Sequence, residues 1–367
     1  MVDERILKRE EKAVFALRSL YRKRGYLPFK MSKFEEFEFY MRNKDFLVSD
    51  RIITFNDTNG KLLALKPDVT LSIIKHGEDA VGCKQKVYYD ENVYRVSEST
   101  GQFKEIRQTG LECIGDIDLY DIYETATLAA ESLAWISEDF ILEISHLGIL
   151  SGVLDRICGD VAFQKEAIRF IAEKNAHDLS RLCEEWGVSG EGCHRLTAFI
   201  SIYGQRQKVL EELRQICDGA EEAFGELERL SRMLDCSPFG DRIVFDFSVI
   251  NDMSYYNGIV FKGFISGICE GVLAGGQYDK LMRKLERRSG AVGFALYLDL
   301  LEQLPAEKTG YDVDMLLLYP GDADPAVVAK KVEELTAGGK TVSAQKRIPE
   351  KLRAKEIISL VKEGEEC

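Results

Sequence analysis

A stretch with helical periodicity, from about residue 150 to residue 236, separates two regions in which residues alternate as they do in β-strands. Before it, "KVYYDENVYRVS" and "IRQTGLECIG" are rich in aromatic and branched residues. After it, the same pattern returns in "RIVFDFSVI" and "GIVFKGFI". We therefore predict an α+β protein, built on a mostly antiparallel sheet that carries a helical insertion between its strands.

Shorter elements surround this body. Residues 5–24 have apolar residues near helical spacing, and Gly25 is a good residue to end that helix. The turn "NDTNG" at residues 56–60 predicts an antiparallel hairpin, and a helix is predicted at about residues 119–136. From residue 311, "YDVDMLLLY", "DPAVVAKKVEELTAGG", "KTVSAQKR" and "PEKLRAKEIISLVKEG" predict strand, helix, strand and helix, which form a small α/β appendage.

The length of 367 residues exceeds that of a usual single hydrophobic core. We place the domain boundaries where the pattern changes. The predicted parts are a first part of the core at residues 1–150, a helical insertion at 151–236, a second part of the core at 237–308 and a truncated α/β appendage at 309–367.

Charge and cysteine usage restrict the classes of partner. The chain has 62 acidic and 49 basic residues, which removes the non-specific attraction to nucleic acid that basic proteins have. Its nine cysteines form no C-x-x-C pair and are typical of reduced thiols, so we predict a cytoplasmic location. No apolar run approaches the roughly 20 residues of a membrane span, and no membrane association is expected. Cys183, Cys193 and His194 lack zinc spacing, so we expect no metal and no cofactor.

Two carboxylates stand in apolar segments. Asp68 and Glu112 are predicted to lie on strands, where an unpaired charge is costly, so each needs a cationic or hydrogen-bonding partner. Strand alternation places Gln108, Gly110 and Glu112 on one face, and Gly110 is expected to leave room there for a ligand. An amino group or an imidazole would satisfy such carboxylates.

Several motifs then point to a family. The stretches "LALKPDVT", "NVYRVSES", "EIRQTGLECIG", "SYYNGIVF", "VLAGGQYDKL" and "AVGFALYLDLL" resemble, in order and approximate spacing, the catalytic core of the histidyl-tRNA synthetases. The resemblance covers roughly residues 5–305. It implies a class II aminoacyl-tRNA synthetase-like core on an antiparallel sheet, and a pocket for histidine.

The resemblance also assigns the residues of that pocket. The positions that match the synthetases' histidine site are occupied by Asp68, Thr70, Arg95, Gln108, Glu112, Tyr255 and Tyr256. Arg95 matches the arginine that contacts the α-phosphate and the carboxylate, and Asp68 stands for a longer glutamate. Taken singly, each of these polar residues could equally well be exposed to solvent or paired within the protein instead of contacting a ligand. Their occurrence together and in order favours a pocket.

The departures from the family lie where the synthetases bind ATP. Asn251 takes the place of the arginine of R-G-L-D-Y-Y, and Gln277 replaces another arginine. In the third motif, G-x-E-R, the glycine has become Tyr297 and the arginine has become Leu300. Loss of one preplaced cation costs on the order of 100-fold in rate. We therefore predict that adenylation is lost and that the chain is not itself an enzyme.

A synthetase core with these losses resembles the regulatory subunits of ATP phosphoribosyltransferase. The resemblance implies a dimer through the class II core, a short-form catalytic subunit as partner and feedback inhibition by histidine, with no tRNA expected. The retained pocket and a subunit interface both stay open as the place where histidine binds. The alternatives are an active histidyl-tRNA synthetase, in which other residues replace the lost arginines, and a stand-alone histidine sensor.

Overall fold

The computed structural model of the chain describes residues 7–44, 47, 51–77, 82–97, 100–250, 255–305 and 311–360. The chain divides into two compact units, Met1–Leu304 and Pro305–Cys367. Across these described ranges, no helix has both the length and the apolar character that crossing a membrane requires.

Helices between Leu147 and Leu234 occupy most of the stretch that was predicted to be a helical insertion. The helices are α1 (Arg9–Lys23), α2 (Phe37–Arg42), α3 (Val69–His76), α4 (Leu119–Ile136), α5 (Leu147–Ile157), α6 (Val161–Ala172), α7 (Ala176–Glu185), α8 (Gly190–Ser201), α9 (Arg206–Leu213), α10 (Glu221–Leu234) and α11 (Asp279–Lys284), with 3-10 helices at Gly240–Arg242 and Leu298–Gln303. The predictions of α1 and α4 are confirmed. Gly25 follows α1 with a φ of +83°, a conformation that glycine adopts without strain.

The strands of the first unit form a large sheet and a small one. They are β1 (Leu27–Pro28), β2 (Phe34–Glu36), β3 (Thr54–Asn56), β4 (Leu62–Leu65), β5 (Lys84–Val96), β6 (Phe103–Gly115), β7 (Phe140–His146), β8 (Tyr203–Gly204), β9 (Ile243–Asp246), β10 (Ile259–Ile265), β11 (Leu273–Gln277) and β12 (Gly290–Tyr297). The large sheet has the order β1-β5-β6-β12-β11-β10-β7-β9-β8, and the small sheet has the order β2-β4-β3.

Most neighbours in the large sheet are antiparallel, as predicted, while β1–β5 and β7–β9 are parallel. The hairpin predicted around residues 56–60 is confirmed, because β3 and β4 pair antiparallel. Strand β7 was not predicted from the sequence. It follows α4 directly and lies between β10 and β9, so it joins the helical block to the sheet.

The second unit corrects one prediction. It contains β13 (Val313–Leu318), α12 (Pro325–Ala337), β14 (Val342–Gln345) and β15 (Ala354–Ser359), with the parallel order β14-β13-β15. The helix predicted over "PEKLRAKEIISLVKEG" is wrong where the structure describes it. Ile357 and Ile358 lie on β15, opposite Leu316 and Leu317 of β13, and this pairing overrides the helical spacing.

The two faces of β6 differ in what they contact. Leu111 and Cys113 join the large apolar cluster, together with Leu17 of α1 and Leu128 of α4. The same cluster includes Phe163 of α6, so the helical block and the sheet share one core. The division of this unit into two core parts and an insertion stays a prediction.

The opposite face of β6 carries the polar residues Gln108 and Glu112. A second apolar cluster on this side includes Ile73 of α3, Leu281 of α11 and Tyr278. Helices α3 and α11 therefore cover the face that carries the predicted ligand residues, and this face is not open to solvent.

We expect Gly110→Ala to destabilise the first unit by about 1–3 kcal/mol or more, as overpacking in a well-packed core does. A Cβ added at Gly110 would lie 2.1 Å from the Phe294 carbonyl oxygen, which cannot move without disturbing β12. Urea unfolding of both proteins measures the difference. Gly159→Ala is the matched control, because nothing lies within 4 Å of its added Cβ. Equal stability of the two variants would show that β6 and β12 can move apart enough to accommodate the added methyl group.

Candidate functional site

The structure brings all of the predicted ligand residues to one cavity of about 190 Å³. These residues are Asp68, Thr70, Arg95, Gln108, Glu112, Tyr255 and Tyr256. The cavity is smaller than the roughly 300–1,000 Å³ of sites that hold drug-sized molecules, so its size suits a single small metabolite. Whether these residues bind histidine stays a proposal.

The floor of the cavity is made by side chains that face each other on β6 and β12. The register pairs Glu112 with Gly293, Gly110 with Ala295 and Gln108 with Tyr297. Side chains directly opposite on antiparallel strands lie on the same face of the sheet. A Cβ added at Gly293 would lie 1.7 Å from Glu112 Oε2, so glycine at this position gives the Glu112 side chain its space.

Glu112 is the buried acid of the site, with 2% of its surface exposed. The Thr70 hydroxyl donates to Oε1 over 2.9 Å, and the Tyr278 hydroxyl donates to Oε2 over 2.5 Å. Burial raises the pKa of Glu112 to about 8, although these two hydrogen bonds oppose the shift. Near neutral pH the carboxyl group is therefore largely protonated in the free protein, and a ligand that donates to it or carries positive charge would favour its ionised form.

Asp68 is placed differently from its prediction. It does not lie on a strand but caps the N-terminus of α3, where its side chain accepts a hydrogen bond from the Leu71 N–H over 2.8 Å. The reason is local, because Pro67 ends the extended segment and an aspartate before Val69 satisfies an unpaired helix N–H group. Burial raises the pKa of Asp68, while the Leu71 N–H and the Arg95 guanidinium partly offset that shift.

The segment that carries Asp68 is tied to β5. Lys66 is fully buried, and its Nζ lies 2.9 Å from Glu91 Oε2. The Tyr94 N–H donates to the Lys66 carbonyl oxygen over 2.8 Å, and Arg95 Nε donates to the Pro67 carbonyl oxygen over 3.0 Å. These contacts set the position of Arg95 relative to Asp68, so a cation and a carboxylate lie side by side in the cavity wall.

Aromatic rings form another wall. The ring centroids of Tyr255 and Tyr256 lie 4.6 Å apart, and those of Tyr255 and Tyr278 lie 5.7 Å apart. Such rings offer flat apolar surface to a planar ligand group beside the polar ends of the site.

The room expected above Gly110 is occupied by protein. The Tyr89 hydroxyl donates to the Phe294 carbonyl oxygen over 3.3 Å and would lie 2.6 Å from a Cβ at Gly110. The expectation that this glycine leaves space for a ligand was therefore wrong, because Tyr89 crosses over it from β5.

Tyr89 and Tyr278 line the cavity but were not predicted. Alternation along β5 contained a signal for Tyr89, because it stands an even number of residues before Arg95. Tyr278 directly follows the predicted position Gln277. Its contact with Glu112 spans 166 residues of sequence and depends on the fold.

The structure shows the contacts and burial of most of the residues that depart from the synthetase pattern. Gln277 accepts a hydrogen bond at its side-chain oxygen from the Ile259 N–H over 2.8 Å. Leu300 is half-buried in the 3-10 helix that follows β12, and Tyr297 lines the cavity. Asn251 lies outside the described residues.

The site combines a buried acid, a second carboxylate, an arginine and closely packed, tilted phenol rings. This set suits a small zwitterion whose side chain can hydrogen bond and stack. Within the described ranges, no group of three or more His, Cys, Asp or Glu side chains is arranged to hold a metal ion.

Comparison with known proteins is consistent with this geometry. The family model described as histidyl-tRNA synthetase matches residues 2–301. A curated relative from Moorella thermoacetica, named ATP phosphoribosyltransferase regulatory subunit, is 32% identical over 300 residues, which cover 78% of this chain and 75% of the relative.

Solved structures show the same fold. An ATP phosphoribosyltransferase regulatory subunit/histidyl-tRNA synthetase from Bacillus halodurans superposes with a TM-score of 0.76 at 23% identity, covering 98% of this chain and 96% of that one. A chain of the ATP phosphoribosyl transferase (HisG:HisZ) complex from Thermotoga maritima has a TM-score of 0.63 at 22% identity, over 79% of this chain and 97% of that one. The predicted synthetase-like fold class is confirmed.

We expect Glu112 to make folding stability depend on pH. Its pKa is higher in the folded protein than the ordinary 4.5, so stability is lost as pH rises from about 4.5 to about 8. The steepest loss is about 1.4 kcal/mol per pH unit. Glu112→Gln imitates the protonated carboxyl group and removes this contribution. Urea unfolding of both proteins between pH 5 and pH 9 tests this. If the unfolding free energies of the wild type and Glu112→Gln changed with pH in parallel across this range, the burial of an acid at this position would be contradicted.

Proposed function

This chain belongs to the histidyl-tRNA synthetase family and, within it, to the regulatory subunits of ATP phosphoribosyltransferase, and we propose that it regulates a short-form catalytic subunit in histidine biosynthesis. It is required for the activity of that subunit and mediates feedback inhibition by histidine. It has no catalytic activity of its own. A cytoplasmic location and a dimer through the synthetase-like core are part of the proposal.

The observation that supports this proposal most is that the residues predicted to bind the amino acid line one cavity, whereas positions that the synthetases use for adenylation have changed. Glu112, Thr70 and Arg95 line one cavity, whereas Tyr297 and Leu300 replace the glycine and arginine of the third synthetase motif. Adenylation needs cations placed against the phosphates of ATP. A protein that keeps the amino-acid site and loses those cations is suited to sensing the amino acid.

The charges in the cavity suggest how histidine lies. Its carboxylate is placed against Arg95, the cation in the wall, and its ammonium group against Asp68. Its imidazole then reaches Glu112, the acid at the opposite end of the β6–β12 floor, beside the rings of Tyr255 and Tyr278. Each polar end of histidine meets a group of opposite charge or a hydrogen-bonding partner.

Regulation follows if the two subunits respond to each other. Histidine in the cavity orders Asp68 and α3 on one side and the tyrosines on the other, which changes the surface offered to the catalytic subunit. Such coupling is reciprocal, so substrates bound to the catalytic subunit change the affinity for histidine by the same factor.

An active histidyl-tRNA synthetase is the second candidate function, because the matching family model describes that enzyme. The two functions are separated by histidine-dependent exchange of pyrophosphate into ATP. The regulatory function predicts no exchange by the purified chain.

We expect the full chain to raise the activity of a short-form ATP phosphoribosyltransferase catalytic subunit severalfold, and histidine to inhibit the mixture. The physical reason is that the catalytic subunit reaches its active arrangement only in the complex. Product formation with each protein alone and with both together measures this. Exchange of pyrophosphate by the chain alone, without activation of the partner, would establish the synthetase instead.

We expect Glu112→Gln to weaken histidine binding by on the order of 10-fold or more, because a hydrogen bond to a charged group contributes about 1.5–3 kcal/mol. Feedback inhibition weakens in parallel, whereas activation of the catalytic subunit persists. Titration calorimetry measures the affinity. Glu105→Gln is the matched control, because Glu105 is an exposed residue of the same strand. If both variants bind histidine as the wild type does, histidine binds elsewhere, and the subunit interface becomes the site to test.

A further inference from the structure

A second cavity, of about 580 Å³, adjoins the first. Arg95 and Tyr297 line both cavities, so these two side chains stand at the boundary between them. The second cavity is more open and continues from the end of β12 towards the 3-10 helix Leu298–Gln303. Side chains that separate two cavities in this way limit the length of a ligand in the first cavity as well as its chemistry.

The size of the side chains along the floor explains where the first cavity ends. On the cavity face of β12, the residues are Gly293, Ala295 and Tyr297 in order. The first two are small, and the space beside them is taken by the Glu112 side chain at Gly293 and by Tyr89 over Gly110, which pairs with Ala295. At the third position both partners are large, because Tyr297 lies opposite Gln108. Side-chain size along this face of β12 therefore increases towards the second cavity, and the largest side chain, Tyr297, lies where the two cavities meet.

The Tyr297 backbone holds this side chain in place. Its N–H donates to the Val272 carbonyl oxygen over 2.8 Å, which anchors the end of β12. Burial raises the pKa of the Tyr297 hydroxyl, and the Arg95 guanidinium partly offsets the shift, so the phenol and the cation lie within electrostatic reach. The ring and Arg95 act as one boundary.

We propose that Tyr297 is a gate that limits the ligand to an amino acid with an unsubstituted carboxyl group. The inference rests on the proposed binding of histidine, whose carboxylate lies against Arg95. A substituent on that carboxylate points past Arg95 into the position of the Tyr297 ring. Truncation of Tyr297 joins the two cavities and admits histidine derivatives that carry a group on the carboxyl carbon.

The walls of the second cavity define which substituent fits. Among its described lining residues, the carboxylates Glu270, Asp299 and Glu302 outnumber the cations Arg95 and Lys104. Ile106 and Leu300 add apolar surface. A neutral apolar group is therefore accepted more readily than a phosphate, which would meet an excess of negative charge.

The test compares two amides of histidine. Histidinamide lacks the carboxylate charge but adds almost no bulk, and histidine β-naphthylamide adds a ring system of the size that the second cavity accepts. Their affinities are measured by titration calorimetry on the wild type, Tyr297→Ala and Tyr297→Phe. The readout is the ratio of naphthylamide affinity to histidinamide affinity, in which the loss of charge cancels.

We expect this ratio to rise by on the order of 10-fold or more in Tyr297→Ala, which is the removal of about 1.4 kcal/mol of steric cost. Tyr297→Phe keeps the ring and leaves the ratio at its wild-type value. An unchanged ratio in a Tyr297→Ala protein that still binds histidine overturns the gate and leaves the proposed function intact. A wild type that binds both amides equally well also overturns the gate.

Two further results of these measurements bear on the proposal. If Tyr297→Ala unfolds, Tyr297→Leu, which keeps apolar packing with a smaller side chain, is read in the same way. If the wild type binds no histidine, the gate is overturned, and activation and inhibition of the catalytic subunit decide the proposed function separately.

Discussion

The site depends on a carboxyl group that is buried on the face of a β-sheet. Glu112 has hydroxyl donors on both oxygens, from Thr70 at the start of α3 and from Tyr278 next to α11. A buried acid without such partners would cost several kcal/mol. Helices α3 and α11 must therefore sit where they do over the sheet, and the cavity between them follows from that requirement.

The shape of the cavity follows from side-chain size along two neighbouring strands. Gly293 leaves space for the Glu112 side chain, whereas the Tyr89 side chain packs over Gly110. One glycine therefore accommodates the buried acid and the other accommodates an aromatic ring. Polar contact and close backbone packing occur together on this face. The sheet is therefore closely packed where the ligand is proposed to lie, and α3 and α11 lie over it on the same side.

Tyr297, which departs from the synthetase motif, lines the same cavity as the residues that are predicted to bind an amino acid. Gln277 now bonds to the backbone of β10 at Ile259, and Tyr297 adds bulk at the end of β12. The cavity is lined by an acid, an arginine and tyrosines at the positions that match the synthetases' histidine site. These features underlie the proposal that the cavity senses an amino acid and does not activate it.

The sequence by itself determined the α+β class, the antiparallel sheet and the helical block, because alternation and helical spacing are local properties. Its resemblance to the synthetases predicted a set of residues that the structure brings to one cavity. Tertiary structure decided the rest. Asp68 became a helix cap, residues 354–359 became a strand through pairing with β13, and Tyr278 reached Glu112 across 166 residues. These outcomes depend on which segments meet in space, and local spacing does not specify those contacts.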